Sequence, residues 1–291
     1  MTNENLIQIW YNDITKQPFK KTELTRDNYM KQINYFLDYM NNKPLAEITT
    51  KDIKGYMQSL NVSDSTYDVK LASISSLYKI LKYDVTTEDI IKENPTYGVF
   101  RVKVKNKEKI PLTKDEERAL LQNCKNKRDY AIILTLLSTG LRINELINLT
   151  LEQYQNRDEY NGIELVVTKR SKKRIIYLND KVISAIEDYL TVRKDGCNKL
   201  FVSNGSEKMG RSCLTRSFKN IAFRAGFTEE RISQIAPHLM RVTCGSDMGE
   251  KGIPIQVIQK ILGHSDINVT ASRYVKTRNE SIKDAMVDYL I

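Results

Sequence analysis

Apolar positions in the first hundred residues recur at three- and four-residue spacing, the repeat of an amphipathic helix. NYMKQINYFLDYM (28–40) places Tyr29, Ile33, Phe36, Leu37 and Met40 on one face. ITTKDIKGYMQSL (48–60) predicts a second helix, with Thr50 as its N-cap ahead of Asp52 and Ile53. SDSTYDVKLASISSLYKILK (63–82) predicts a third, striped by Val69, Ile74, Leu77, Tyr78 and Leu81. Asn94-Pro95 then ends helical structure, because the residue before proline is pushed out of the α region.

From Leu112 onward the pattern changes. Thr113 and Glu116 form a T-x-x-E capping box ahead of Leu120 and Leu121. RDYAIILTLLSTG (128–140) is apolar nearly all round, which predicts a buried central helix closed by Gly140. GIELVVTKRSKKRIIYL (162–178) is the one strand region: ELVVT and RIIYL flank a basic turn, as in a β-hairpin. Helical patterns resume at 180–192, 210–225 and 238–250, and in IPIQVIQKIL (253–262), where proline lies near the first turn. In the tail, Ile282, Met286 and Tyr289 are spaced as an amphipathic helix. The chain reads as mainly α with a small antiparallel β-sheet, without internal repeats.

The chain has 291 residues, enough for about two domains. Hydrophobic residues at 41% and charged residues at 28% exclude a disordered chain. No apolar run approaches the ~18 residues of a membrane span, and the N-terminus lacks the basic-then-apolar pattern of a secretory signal. Both point to a cytoplasmic protein without a membrane partner. Cys124, Cys197, Cys213 and Cys244 are too scattered for a zinc pattern and read as reduced core or surface thiols.

The net charge of +10 favours a polyanionic partner, above all nucleic acid. Residues 1–100 hold 12 basic and 13 acidic side chains, whereas residues 101–291 hold 34 and 23. The run RVKVKNKEK (101–109) has five basic residues, among them Lys103, Lys105 and Lys107, against one acid. These features divide the chain into a helical domain (1–100), a basic linker (101–112) and a second domain (113–291). The linker is either a solvated connector or a segment that touches phosphates.

Only two histidines are present, His238 and His264, too few for a three-ligand zinc site without help. Their surroundings are more informative. PHLMR puts His238 and Arg241 three apart, on one helical face. LGH places His264 after a helix-closing glycine, and Tyr274 follows ten residues later in ASRYVK. STGLRINEL sets Arg142 beside another helix-ending glycine, with Glu145 one turn on, and the hairpin turn offers Lys169.

In order and spacing, TGLRINEL, TKRSKKRIIYL, PHLMR, LGHSD and Tyr274 resemble the tyrosine recombinase (integrase) family, which includes Xer recombinases, phage λ-type integrases and transposon integrases. The motifs cover the chain from about Leu112 to its end. Over 1–100 the likeness is architectural. The resemblance implies a helical SAM-like core-binding domain followed by an α+β catalytic domain. It makes Arg142 and Arg241 the paired phosphate-binding arginines, Lys169 the hairpin lysine, and His238 and His264 the histidines of the H-x-x-R and LGH motifs. Tyr274 becomes the nucleophile and Glu145 an acid supporting the site from behind. Lys103, Lys105, Lys107, Lys172 and Lys173 are candidate DNA contacts.

The chemistry fits these residue types. Guanidinium stays charged and grips phosphate oxygens bidentately. A tyrosine hydroxyl, with an ordinary pKa near 10, needs a base or nearby cations to become a nucleophile. His238 suits the base, and Lys169 can protonate the departing 5′ oxygen. With this many cations, neither a metal nor another cofactor is required. The implied partner is double-stranded DNA, with a tetramer assembled on it through the C-terminal helix and room for accessory recombination factors. The tail helix either docks on a neighbouring protomer or packs on its own domain.

Some positions depart from the family pattern. Thr168 stands where relatives often have glycine, Met240 replaces a common leucine, and Val242-Thr243 follow Arg241 where many members have histidine. The ten-residue step from His264 to Tyr274 is nine in some relatives. The chain begins almost directly with the core-binding domain, which leaves no room for an arm-site domain. A type IB topoisomerase would share the chemistry without synapsing two sites. A helix–turn–helix regulator would explain the charge without explaining the catalytic set.

Overall fold

The computed structural model describes residues 1–102, 109–167, 172–203 and 209–263, the side chains of 166, 167 and 172 excepted. These residues are mainly helical, with one two-stranded antiparallel sheet. The chain divides into two compact units, Met1–Lys107 and Glu108–Ile291.

The described residues of the first unit form four α-helices: α1 (Asn3–Asp13), α2 (Glu23–Tyr39), α3 (Thr50–Ser59) and α4 (Asp64–Tyr83). Helix α4 is the axis against which α1 and α2 pack. Ile74, Leu77, Tyr78 and Leu81 of α4 meet Ile33 and Phe36 of α2 and Trp10 of α1 in a sealed core. The strong periodicity singles out α2, α3 and α4. Helix α1 buries only Leu6 and Trp10, a stripe too short to stand out. Helix α3 starts one residue earlier than expected. Thr49, not Thr50, is its N-cap, because the reciprocal bond needs the acid three residues on, and Asp52 stands at that distance from Thr49. Asn94-Pro95 does not end helical structure. α4 has already stopped at Tyr83, and the Asn94 side chain caps a 3-10 turn over Pro95–Gly98.

In the second unit, α5 (Lys114–Gln122) opens on the Thr113–Glu116 capping box. Helix α6 (Lys127–Thr139) is the buried centre, with Ile132, Ile133 and Leu136 inaccessible, and Gly140 closes it in the left-handed conformation at φ +61°. Two short helices follow, α7 (Ile143–Asn148) and α8 (Leu151–Gln155), then strands β1 (Gly162–Val167) and β2 (Lys172–Tyr177). Register pairs Ile163 with Ile176 and Leu165 with Arg174, so these four residues share the inward face of the hairpin. Helices α9 (Asp180–Val192), α10 (Arg211–Arg224), α11 (Glu229–Gln234), α12 (Pro237–Glu250) and α13 (Ile255–Leu262) complete the described unit. Helices α9 and α12 pack on α6. Leu112 belongs to this core, and its N–H donates to Thr243 Oγ1 of α12 at 3.0 Å. Arg231 of α11 donates to the Pro111 carbonyl at 2.8 Å.

The four cysteines carry no disulfide; Cys244 is buried, Cys213 exposed and the other two lie between. Among the described residues, no helix is long and apolar enough to cross a membrane.

Candidate active site

Two helix C-termini meet in the second unit, and arginines bridge them. Gly140 ends α6 and Gly263 ends α13, both left-handed, at φ +61° and +62°. A Cβ at Gly140 would overlap Leu262 of α13, so glycine is what lets the two helix ends approach. The last carbonyls of a helix have no partner within it and carry partial negative charge, so they attract cations.

Arg241 lies in α12 and is 2% exposed. Its Nη1 donates to the Gly140 carbonyl at 2.5 Å and its Nη2 to the Leu262 carbonyl. One guanidinium therefore ties both helix ends together. Arg142, the residue just before α7, donates through Nη2 to the Gly263 carbonyl at 2.5 Å and through Nη1 to Glu145 Oε1 at 3.0 Å. Glu145 Oε2 in turn accepts the Arg142 backbone N–H at 2.7 Å, which caps the start of α7 from the glutamate side. The two predicted phosphate-binding arginines thus reach successive carbonyls of a single helix end. Arg142 keeps its side chain 39% exposed, so it is the more accessible to a substrate.

Glu145 does more than the single supporting contact expected from sequence. Its second oxygen also accepts from Arg174 Nη2 at 2.5 Å. Burial pushes the Glu145 carboxyl up, but the Arg174 charge, the Arg142 backbone N–H and the Arg142 side chain outweigh it and hold its pKa below the usual value. Arg174 was not among the candidates. The signal lay in the two-residue alternation of RIIYL, which puts Arg174 on the same inward face as Ile176 and Leu178.

His238 lies in the first turn of α12, one turn before Arg241, and is exposed. Helix α12 therefore presents one accessible ring and one buried guanidinium along the same edge. Lys173 lies on the outer face of β2 and pairs with Glu164 at 2.7 Å, with side-chain exposures of 68% and 51%. Lys103, Lys105, Lys107, Lys169, His264 and Tyr274 lie outside the described residues, as do the Lys172 side chain and the expected C-terminal helix.

Known proteins give this arrangement a context. Residues 111–281 match the phage integrase family, and residues 6–88 match the phage integrase N-terminal SAM-like domain. Tyrosine recombinase XerD of Rickettsia bellii (strain RML369-C) is 29% identical over 285 residues, which cover 90% of this chain and 91% of that protein. Tyrosine recombinase XerC of Caldanaerobacter subterraneus subsp. tengcongensis is 29% identical over 251 residues, covering 83% and 69%. Among solved structures, the Tn1549 transposon integrase in complex with transposon right end DNA superposes with a TM-score of 0.76 at 21% identity, over 100% of each chain. A lambda integrase dimer bound to a COC′ core site gives 0.75 at 16% identity, over 96% and 97%. At such identities the structural likeness speaks for the fold.

Proposed function

We propose, from the premise that this chain belongs to the phage integrase family and is a tyrosine-type site-specific recombinase, that it cuts and rejoins double-stranded DNA through a 3′-phosphotyrosyl intermediate. The observation that most directly supports the reading is the pair Arg142 and Arg241, brought to successive carbonyls of one helix end with Glu145 behind Arg142.

The guanidiniums of Arg142 and Arg241 take the non-bridging oxygens of the scissile phosphate and stabilise the charge that grows in the transition state. The backbone carbonyls fix these groups before substrate arrives, so little reorganisation is left for the chemical step. His238 removes the proton from Tyr274, whose oxygen attacks phosphorus. The 5′ oxygen leaves with a proton from Lys169, and His264 donates a hydrogen bond to the phosphate. The 3′-phosphotyrosyl ester keeps the bond energy of the broken phosphodiester. A 5′ hydroxyl from a second duplex attacks that ester, releases tyrosine and completes strand exchange without ATP or a metal.

On this reading the helical first unit is the core-binding domain, a second grip on the same duplex, and Lys103, Lys105, Lys107, Lys172 and Lys173 contact phosphates. Four protomers assemble on paired sites through the C-terminal helix, with accessory factors free to join. The substrate is nucleoid DNA in the cytoplasm.

Covalent trapping tests the mechanism. Wild type and Tyr274→Phe are incubated with nicked suicide duplexes, drawn from DNA flanking the gene, without divalent metal. An adduct that survives denaturing electrophoresis in the wild type alone is the expected result. An adduct with both proteins makes another tyrosine the nucleophile. Tight binding of the true site without any adduct makes the chain a DNA-binding regulator.

A further inference from the structure

We propose that Arg174 is a positioning residue for strand cleavage: it holds Glu145, and through Glu145 the guanidinium of Arg142, against the end of α13. The inference rests on Arg142 being a phosphate-binding arginine.

The placement of Arg174 is unusual for a charged side chain. It sits opposite Leu165 on the inward face of the hairpin, and its side chain is 8% exposed. A guanidinium there is tolerated only if its N–H groups are taken up. Two of them are. Nη2 donates to Glu145 and Nη1 to the Ile261 carbonyl. Among the described residues, Nε is buried without a hydrogen-bond partner. A buried donor left unmet is costly. Arg174 gives up a contact at Nε to reach two acceptors on different elements.

Those two acceptors are what Arg142 depends on. Glu145 Oε2 is shared between Arg174 and the Arg142 backbone N–H, while Oε1 takes the Arg142 side chain. Ile261, Leu262 and Gly263 are successive residues, and each carbonyl accepts one arginine: Arg174, Arg241 and Arg142 in turn. Gly263 makes room for Arg174 and leaves Arg142 in ordinary contact. A Cβ there would stand 3.1 Å from Arg174 Cδ and 3.5 Å from Arg142 Nη1. At 8% exposure against 39% for Arg142, Arg174 is the deeper of the two arginines that share Glu145. It braces the site from the hairpin that also carries Lys169 five residues earlier in the chain.

Electrostatics give the brace a measurable signature. Among the described residues, the charged groups facing Glu145 are Arg142 from the start of its own helix and Arg174 from β2. Removing Arg174 takes away a positive charge, so the Glu145 carboxyl protonates at a higher pH and releases Arg142 sooner on acidification. Lysine at 174 restores the charge but not the planar fork that spans two acceptors.

The test is the single-turnover rate of adduct formation by the full chain on a nicked suicide duplex, followed across pH, with duplex affinity measured alongside. Arg174→Met is expected to slow the adduct by about tenfold or more with affinity within about threefold of wild type, the pattern of a lost transition-state contact. Its acid limb moves to higher pH, Arg174→Lys returns the limb towards wild type at an intermediate rate, and Arg174→Met adds little to Glu145→Gln. Full additivity of those two changes, or an equal fall in rate, affinity and melting temperature with an unmoved acid limb, overturns the proposal and leaves Arg174 a structural residue. If Arg174→Met does not fold, Arg174→Lys decides: a wild-type rate overturns the proposal, and a slower rate at unchanged affinity supports it. A wild type that forms no adduct at all overturns the cleavage mechanism itself, a failure visible before any variant is compared.

Discussion

Gly140 and Gly263 share a backbone conformation and differ in what surrounds them. Each is left-handed, so alanine at either costs about 1–2 kcal/mol from the backbone alone. A Cβ at Gly140 would overlap Leu262 and lie 3.3 Å from Cys244 Sγ, in the seam between α6, α12 and α13. At Gly263 it would instead press on the Arg174 side chain, which is long enough to shift. Gly140→Ala is therefore expected to lower the melting temperature of the second unit more than Gly263→Ala. Gly263→Ala is expected to slow adduct formation more than its loss of stability accounts for, because its cost falls on guanidinium placement. Thermal denaturation beside adduct kinetics for both variants checks this; equal ratios of rate loss to stability loss would count against it.

Helix ends frame much of the candidate site, and they are the most legible feature of the sequence. Gly140, Gly263 and the Thr113–Glu116 box each predicted a terminus that the structure has. The hairpin and the buried α6 were legible for the same reason: one period, strongly kept. Harder to read were features that depend on counting one residue or on a face. Thr49 and Thr50 are chemically alike, and only the distance to Asp52 decides which one caps α3. Arg174 looked like one more charge in a basic turn, although its parity with Ile176 put it inside. That Glu145 would be shared by two arginines depends on β2 and α7 meeting in space, which no local pattern encodes. The corrected cap has a consequence of its own. Backbone and side-chain bonds from Thr49, with Lys43 beside them, lower the Asp52 pKa to about 2. Its ordinary value is about 3.9, so the ionised carboxylate stabilises the fold above that pH, and the gain is lost as pH falls towards 2. Trp10 is the only tryptophan and is fully buried in the same core, so its fluorescence reports the first unit. Asp52→Asn is expected to remove part of the acid loss of stability seen by Trp10, and Thr49→Ala to cost about 1 kcal/mol at neutral pH. An acid titration identical in Asp52→Asn and wild type would disprove the role of the cap.

Charge is distributed over the whole chain in a way that suits a division of labour. Residues 1–100 are nearly neutral, and the excess of basic side chains falls in residues 101–291, with the candidate chemistry. Neutralising phosphates releases counterions, so affinity for duplex DNA falls with salt at a slope of about −0.9 per phosphate contacted. Lys173 is a proposed contact of this kind. It pairs with Glu164 on the exposed face of the hairpin, and an exposed pair is worth at most about 1 kcal/mol. A phosphate can therefore replace the carboxylate at little cost. Replacing Lys172 and Lys173 together by glutamine is expected to reduce the salt slope by about 2 and to weaken binding to cognate and unrelated duplexes alike, since phosphate contacts carry no base preference. Arg142→Lys separates positioning from charge in the same assay. It keeps the cation, so duplex affinity and salt slope stay near wild type, but it loses the fork shared by Glu145, Gly263 and, on the proposed mechanism, a phosphate, so adduct formation falls by about a hundredfold. A double lysine variant with an unchanged slope would remove the hairpin from the DNA contact surface. An Arg142→Lys protein that cleaves at the wild-type rate would mean that charge alone, and not the bidentate geometry built on the end of α13, drives the reaction.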